Sequence, residues 1–113
     1  MSNRLILVAL LTLSACTVTR DNYPDKYAAV YCDRLDECAP GDFENSYASF
    51  KDCKLDVADD TEDSLQVMEE WFPGCELLPD QARECLDQMK AVSCGDFVSG
   101  DFDGKCGTEL IDC

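Results

Sequence analysis

Apolar residues recur at helical spacing in four stretches of this chain. In the first stretch the apolar positions are separated by four, four and three residues: Tyr27, Tyr31, Leu35 and Cys38. This spacing is typical of one face of an α-helix. Pro24 suits a first helical turn and the "APG" at 39–41 is a stop signal, so the pattern predicts a helix over 25–38.

Two further stripes follow this helix. The first predicts a helix over 46–58, with Asn45 or Ser46 as the cap, from a set of apolar positions three or four residues apart: Tyr47, Phe50, Cys53 and Val57. The acidic run "DDTEDS" at 59–64 then predicts the start of a separate helix, since acids favour the amino-terminal end. Its stripe ends at Phe72, which we expect with Trp71 in the core; it consists of Leu65, Met68 and Phe72.

The fourth helix is predicted from Pro79 to the "CG" at 94–95. Its apolar face is formed by Ala82, Cys85, Leu86, Met89 and Val92. No stretch alternates with a period of two, so we expect no strands. From Asp96 onwards the chain reads as a Gly/Asp-rich loop with one helical turn near 109–111. The fold class is therefore all-α, a small bundle of about four short helices.

Two segments of the chain resemble each other. "YCDRLDECAPGDF" and "ECLDQMKAVSCGDF" each place one cysteine within a predicted helix and another near its end, followed by Gly-Asp-Phe. Either a duplicated unit or coincidence accounts for this, since all three residue types are common where loops begin.

The first sixteen residues, "MSNRLILVALLTLSAC", have the layout of a secretory signal. One positive charge at Arg4 precedes an apolar run from Leu5 to Leu11, and small residues precede a cysteine. The apolar run is too short for a mature transmembrane helix, which needs about 20 residues. We therefore expect a leader that is cleaved during export.

The leader ends in "LSAC", residues 13–16, which resembles position by position the lipobox of bacterial lipoproteins. This resemblance implies that residues 1–15 are cleaved off and that Cys16 carries diacylglycerol and an acylated amino terminus. Several acyl chains, at about 0.8 kcal/mol per buried CH₂, would anchor a small domain stably. Thr17 stands where relatives retained at the inner membrane have aspartate, which favours the outer membrane. Residues 16–23 would then be the lipid anchor and a short tether, and residues 24–113 the cysteine-rich domain.

Nine cysteines in 113 residues are typical of a disulfide scaffold in an oxidising compartment. If Cys16 carries lipid, an even number remains, and eight cysteines can close four disulfides. The eight are Cys32, Cys38, Cys53, Cys75, Cys85, Cys94, Cys106 and Cys113.

One disulfide follows from the predicted helices. A short turn between a helix ending near Cys38 and a helix beginning near Ser46 makes the two helices antiparallel neighbours. Cys32 lies six residues from this turn and Cys53 seven, so at about 1.5 Å per residue both lie near 10 Å along the bundle. We predict that Cys32 pairs with Cys53. Cys38 should pair outside this hairpin, because a disulfide tolerates only about 7 Å between Cα atoms.

The composition narrows the function. With 24 acids and 9 bases the net charge is −15, and loss of the leader with Arg4 makes it −16. The overall charge of such a chain repels nucleic acid and anionic lipid headgroups, whereas a basic protein partner is compatible with it. The absence of histidine excludes Ser-His-Asp and Cys-His catalysis, and no Cys-x-x-Cys motif or phosphate-binding loop occurs. We therefore expect no catalytic residues, no enzyme activity and no cofactor.

The segment "SGDFDGKCGTEL" offers an alternative function, calcium binding. Asp101, Asp103 and Gly104 fall on positions three, five and six of an EF-hand-like loop, and Glu109 lies one place before the bidentate glutamate. Ser99 replaces the first aspartate, and Cys106 is expected in a disulfide. A turn built from glycine and aspartate explains the same residues.

Two functions are therefore predicted as alternatives. The first is a lipid-anchored, disulfide-rich envelope protein with a non-enzymatic interaction or structural role, whose partners are the membrane and another envelope protein. The second is a lipoprotein that binds calcium or a small ligand through the acidic loop at 96–109. The part after Cys16 is similar to cysteine-rich lipoproteins of myxobacteria and their relatives, and this resemblance implies no activity.

Overall fold

The computed structural model describes residues 17–102, 106–107 and 110–113, so Cys16, Asp103 and Glu109 lie outside the described residues. Within this part the chain forms five helices and one pair of short antiparallel strands. In chain order they are α1 (Tyr23–Cys38), α2 (Pro40–Ser46), α3 (Phe50–Trp71), β1 (Glu76–Leu77), α4 (Pro79–Ala91), α5 (Cys94–Ser99) and β2 (Ile111–Asp112). The predicted all-α, disulfide-stapled fold is confirmed.

The first helix, α1, is the centre of the fold, because each of the other four helices packs against it. Its predicted bounds are nearly right, and it ends before Pro40 as expected. The short helix α2 was not predicted. Pro40 both terminates α1 and begins α2, since proline lacks the N–H that a helix interior needs and suits a first turn.

The second and third predicted helices are one continuous helix, α3, of 22 residues. Ser49 is its cap, accepting a hydrogen bond from the Asp52 N–H, so the predicted cap at Asn45 or Ser46 was wrong. Within "DDTEDS", Thr61 and Ser64 donate their hydroxyls to carbonyls four residues earlier instead of capping a new helix. At about 1.5 Å per residue α3 is about 33 Å long, enough to pack on both halves of α1.

The prediction that Trp71 and Phe72 lie in the core was wrong, since both are largely exposed. The reason is the position at which α3 ends. Phe72 has non-helical backbone angles (φ −130°, ψ 73°) and therefore leaves the face that carries Leu65 and Met68.

The predicted fourth helix is correct in α4, but the chain after it is more ordered than expected. Cys94–Ser99 forms the short helix α5 rather than the start of a loop, capped by Ser93 and ended by Gly100 in the left-handed conformation (φ 76°). The expectation of no strands was also wrong. Glu76 pairs with Asp112 and Leu77 with Ile111. These strands meet because the disulfides Cys75–Cys113 and Cys85–Cys106 hold the carboxyl-terminal segment against the bundle.

The two similar segments fold in the same way. Each consists of a long helix followed by a short helix that contains Gly-Asp-Phe, and the phenylalanines, Phe43 and Phe97, are both buried. A disulfide between Cys38 and Cys94 joins the two segments at the points where the long helices end.

The core has two parts, and both contact α1. The smaller part lies between α1, α2 and the first half of α3, and consists of Ala28, Cys32, Phe43, Cys53 and Val57. The larger part lies between α1, α4, α5 and the second half of α3; its fully buried members are Ala82, Cys85 and Met89. Tyr27, Tyr31 and Leu35 pack against both parts.

Residues 17–22 pack on the domain instead of forming a featureless spacer. Val18 is buried in the larger core, and Thr19 and Asn22 bond to each other's backbone N–H groups through their side chains. The Arg20 guanidinium lies 2.6 Å from a carboxylate oxygen of Glu62 and 2.6 Å from one of Glu69. The hydrogen bond from Arg20 lowers the pKa of the Glu62 carboxyl.

Four disulfides connect the described cysteines: Cys32–Cys53, Cys38–Cys94, Cys75–Cys113 and Cys85–Cys106. The predicted Cys32–Cys53 pair is therefore confirmed, with 6.0 Å between the Cα atoms, and Cys38 pairs outside the hairpin as expected. The predicted distances of the two cysteines from the turn were only partly right. Cys53 lies three residues into α3 rather than seven from a turn, because the unpredicted helix α2 fills the connection.

Arg34 reinforces the contact between α1 and the α4–α5 junction. Its Nη2 donates to the Val92 carbonyl at 2.6 Å, its Nη1 lies 3.2 Å from Glu37, and its guanidinium carbon lies 5.7 Å from the centre of the Phe97 ring. This buried cation therefore fixes the end of α4 and the buried side chain of α5 onto α1.

The depth of each disulfide predicts its contribution to stability. Cys32 and Cys53 are fully buried, whereas Cys113 is exposed. We expect Cys32→Ala/Cys53→Ala to lower the free energy of unfolding by roughly 1 kcal/mol more than Cys75→Ala/Cys113→Ala, because two buried sulfurs contribute about 0.8 kcal/mol each. Loop length alone gives the opposite order, since the Cys75–Cys113 pair closes the longer loop, 38 residues against 21. Urea unfolding of both variants decides between the two orders.

Candidate functional site

All four tyrosines of the chain line one open groove of about 540 Å³ between α1 and α3. Three of them, Tyr23, Tyr27 and Tyr31, follow one another at every fourth position of α1. Tyr47 comes from the connection between α2 and α3. The opposite wall is α3, and Cys106, Gly107, Leu110 and Ile111 of the carboxyl-terminal segment form one end.

The groove exists because one turn of α3 carries small polar side chains where a larger apolar residue would fill the space. Val57 and Leu65 are buried, but the turn between them presents Asp60, Thr61 and Ser64 to the groove. The hydroxyls of Thr61 and Ser64 are bonded back to their own helix at 2.8 and 2.9 Å. Asp60 is the charged residue that α3 contributes to the groove.

The tyrosine rings form a continuous row along α1. Ring centres are 5.8 Å apart for Tyr23 and Tyr27 and 5.9 Å apart for Tyr27 and Tyr31, and the latter rings are nearly parallel. The row is held from behind, since Tyr31 contacts Phe97 at 5.5 Å and the Tyr23 hydroxyl lies 3.5 Å from the Cys85 sulfur. This wall is therefore rigid, and it offers aromatic faces together with phenol hydroxyls.

Three of the four groove tyrosines have a raised pKa. Burial raises the pKa of Tyr23 and of Tyr27 above the ordinary value. Partial burial and a 3.1 Å hydrogen bond donated to Asp56 raise the pKa of Tyr47 as well. A neutral phenol can donate a hydrogen bond and presents an aromatic face, so these side chains supply groups that can contact a ligand.

The size and composition of the groove fit a binding role. Its volume lies within the range of about 300 to 1,000 Å³ that ligand sites occupy. Tyrosine combines a large apolar face with a polar tip and loses little conformational freedom on binding. Within the part of the chain that the structure describes, no group of three potential metal ligands occurs, and no helix is long and apolar enough to cross a bilayer.

Of the residues predicted for lipidation or calcium binding, the structure describes only Asp101. Cys16 and two of the candidate calcium ligands, Asp103 and Glu109, lie outside the described residues, and Asp101 is exposed. Cys106, in the same segment, is bonded to Cys85. Calcium binding by the acidic loop therefore stays a prediction from the sequence.

The sequence stripes contained the groove residues without indicating a groove. Tyr27 and Tyr31 were assigned to the core face of a helix, and both are in fact half-buried. The available signal was the restriction of tyrosine to 23, 27, 31 and 47. An aromatic that recurs every fourth residue is a feature that core packing does not demand.

In comparisons with known proteins, no family model, no curated protein and no solved structure matches this chain. The groove and the charges on the surface are therefore the observations that bear on its function.

The raised tyrosine pKa values predict a loss of stability at high pH. In the unfolded chain the phenols ionise near pH 10, whereas Tyr23 and Tyr27 hold their protons above that pH in the folded state. Above about pH 10 the folded state then binds more protons than the unfolded state, so the contribution of these two tyrosines to stability is constant below about pH 10 and falls above it. Absorbance of phenolate should show fewer than four ionised tyrosines at pH 11 in the folded protein and four in urea. Four phenolates in a protein that keeps its helical circular dichroism would contradict this.

Proposed function

We propose that this chain is a lipid-anchored protein of a bacterial envelope, non-enzymatic, whose domain binds a positively charged segment of another envelope protein in the tyrosine groove. The observation that carries the proposal is the placement of all four tyrosines beside Asp60 in one groove. The proposal includes Cys16 as the lipidation site and the outer membrane as the location, on the basis of "LSAC" and Thr17.

Two features support a location outside the cytosol. Four disulfides are typical of a protein in an oxidising compartment. The four disulfides also pair all eight cysteines that follow residue 16 with one another. Cys16 therefore has no partner within this set. A secreted chain with one cysteine beyond its paired set has that thiol for another use, and lipid attachment is the use that the adjacent residues indicate.

The charge of the groove favours a cationic partner. A lysine or arginine placed over a tyrosine face gains about 0.5 to 2 kcal/mol, depending on how far it is desolvated. Asp60 in the wall and Asp56 beside Tyr47 supply carboxylates at the same place. The net charge of −15 also attracts a positively charged segment from a distance.

The non-enzymatic role is supported by the chemistry present. The chain has no histidine, and burial raises the pKa of Tyr23 and of Tyr27 in the groove. The side chains in the groove thus supply recognition groups, namely aromatic faces, hydroxyl donors and a carboxylate.

The first test concerns Cys16. Mass spectrometry of the protein isolated from envelopes should find the amino terminus at Cys16 with acyl chains attached. Cys16→Ser should abolish acylation and leave all four disulfides, because Cys16 pairs with none of the eight. A mature terminus elsewhere, without lipid, would exclude the anchor.

The second test concerns the groove. The probe is a dye-labelled Gly/Ser peptide with two arginines, compared with the same peptide carrying two glutamines. We expect Asp60→Asn to weaken binding of the arginine peptide by about 1 kcal/mol, which is about fivefold, and Tyr47→Leu to weaken it similarly by removing an aromatic face.

The matched control is Asp63→Asn, an equal charge change at an exposed position of α3 that does not line the groove. It should leave the affinity nearly unchanged. Equal losses in Asp60→Asn and Asp63→Asn would mean that the peptide senses only the overall charge, and the groove would not be the site.

A further inference from the structure

The basic side chains of this acidic protein gather on one side of the domain. Three adjoining depressions share Val30, Lys90 and Phe50 among their walls and form one continuous surface around the outer side of α1, here called the basic face. The bases that line it are Lys26, Arg34, Lys51, Lys54, Arg83 and Lys90, and the acids are Asp25, Asp33, Glu37 and Asp87. Arg34 and Glu37 of this set pair with each other, so the remaining five bases lie among three acids, although the chain as a whole has 24 acids and 9 bases.

The only other base in the described part of the chain, Arg20, is committed to Glu62 and Glu69. The basic face is thus lined by more bases than acids. The grouping of basic side chains on one face is unexpected in a chain of net charge −15. Such a face fits an anionic surface as its partner.

The basic face lies at the point where the lipid anchor would join the domain. Val18 lines one of the three depressions, is itself buried, and stands only two residues after Cys16. Two residues span at most about 7 Å. The capping turn of Thr19 and Asn22 and the ion pairs of Arg20 hold the following residues on the domain. An anchor at Cys16 therefore leaves little distance between this face and the bilayer.

We propose that the basic face lies on the anionic phospholipid headgroups of the membrane that holds the anchor; this rests on the lipidation of Cys16 proposed above. Basic residues near an anionic leaflet strengthen attachment, and a lipid together with a basic patch is a stable combination. The exposed apolar side chains Phe50 and Leu55 lie in the same face among the lysines, a composition that suits a headgroup layer.

The other exposed aromatic group is a poorer candidate for this contact. Trp71 and Phe72 follow directly on Glu69 and Glu70, which anionic headgroups repel.

The proposed membrane contact also leaves the groove accessible. Tyr23, Tyr27 and Tyr31 lie on a different side of α1 from Lys26 and Val30, so the groove stays open to a partner.

The test is a lysine footprint of the full chain, isolated from envelopes and placed in vesicles. One set of vesicles is neutral phosphatidylcholine, and the other contains phosphatidylglycerol as well. Lysines are acetylated with an N-hydroxysuccinimide ester and quantified by mass spectrometry. Lys51, Lys54 and Lys90 should react about fivefold or more slowly in the anionic vesicles, and high salt should remove this protection.

A pair of variants separates the basic face from net charge. Arg83→Gln/Lys90→Gln removes two bases from the face, and at about fivefold for each base the bound population should fall about 25-fold, so that Lys51 and Lys54 lose their protection. Asn45→Asp/Val98→Glu changes the net charge by the same amount at exposed positions that do not line the face and should keep the protection. Circular dichroism verifies that both variants are folded.

The outcomes separate this proposal from the anchor. Acyl chains on Cys16 with equal lysine reactivity in both kinds of vesicle would overturn the basic face and leave the anchor in place. Protection of the lysines in a chain without acyl groups would support the face and exclude the anchor. Protection by dextran sulfate but by neither kind of vesicle would assign the face to an anionic polymer and overturn the membrane contact.

Discussion

Cystine sulfur occupies the centre of this protein, and the rest of the structure depends on it. The largest fully buried side chains are Met89, Cys32, Cys53 and Cys85, so three of the four are half-cystines. A chain of this length with such short apolar stripes can bury only a limited apolar area, which makes covalent links within the core valuable. Cys32–Cys53 fixes α1 to α3, and Cys85–Cys106 ties α4 to the carboxyl-terminal segment that closes one end of the groove. The same bridges that stabilise the fold therefore set the walls of the site.

The central helix α1 connects the disulfide-bonded core to the surface of the domain. It touches every other helix and takes part in two disulfides, through Cys32 and Cys38. Arg34 adds a buried cation whose hydrogen bond to the Val92 carbonyl would be costly to lose, since hydrogen bonds to charged groups contribute about 1.5 to 3 kcal/mol. Because one rigid helix presents tyrosines on one side and Lys26 on another, the groove and the basic face keep a fixed relation to each other.

That fixed relation is the link between structure and the proposed role. A receptor-like domain held close to a membrane must direct its binding surface away from the lipid, and a flexible tether would not ensure this. Here Val18 and Arg20 bind the first described residues to the domain. An anchor directly before them would transfer the orientation of the lipid to the domain, and electrostatic contact at the basic face would complete it. Acidic and basic side chains would then serve different partners on one small protein.

The sequence by itself determined the fold class, the approximate positions of α1 and α4, and the pairing of Cys32 with Cys53, because helical periodicity and covalent reach are local properties. It could not determine that the two helices predicted on either side of residue 58 are one helix, Phe50–Trp71. The residues of "DDTEDS" are ones that commonly cap a helix. Only the packing of α3 along α1 favours a continuous helix over a cap at this place. The two-residue strands were also beyond the sequence, since the pairing of Glu76 with Asp112 follows from the Cys75–Cys113 disulfide. The groove required the tertiary structure for the same reason. Tyr27 and Tyr31 have the spacing of core residues, and they line a groove only because Asp60, Thr61 and Ser64 on another helix leave the space before them unfilled.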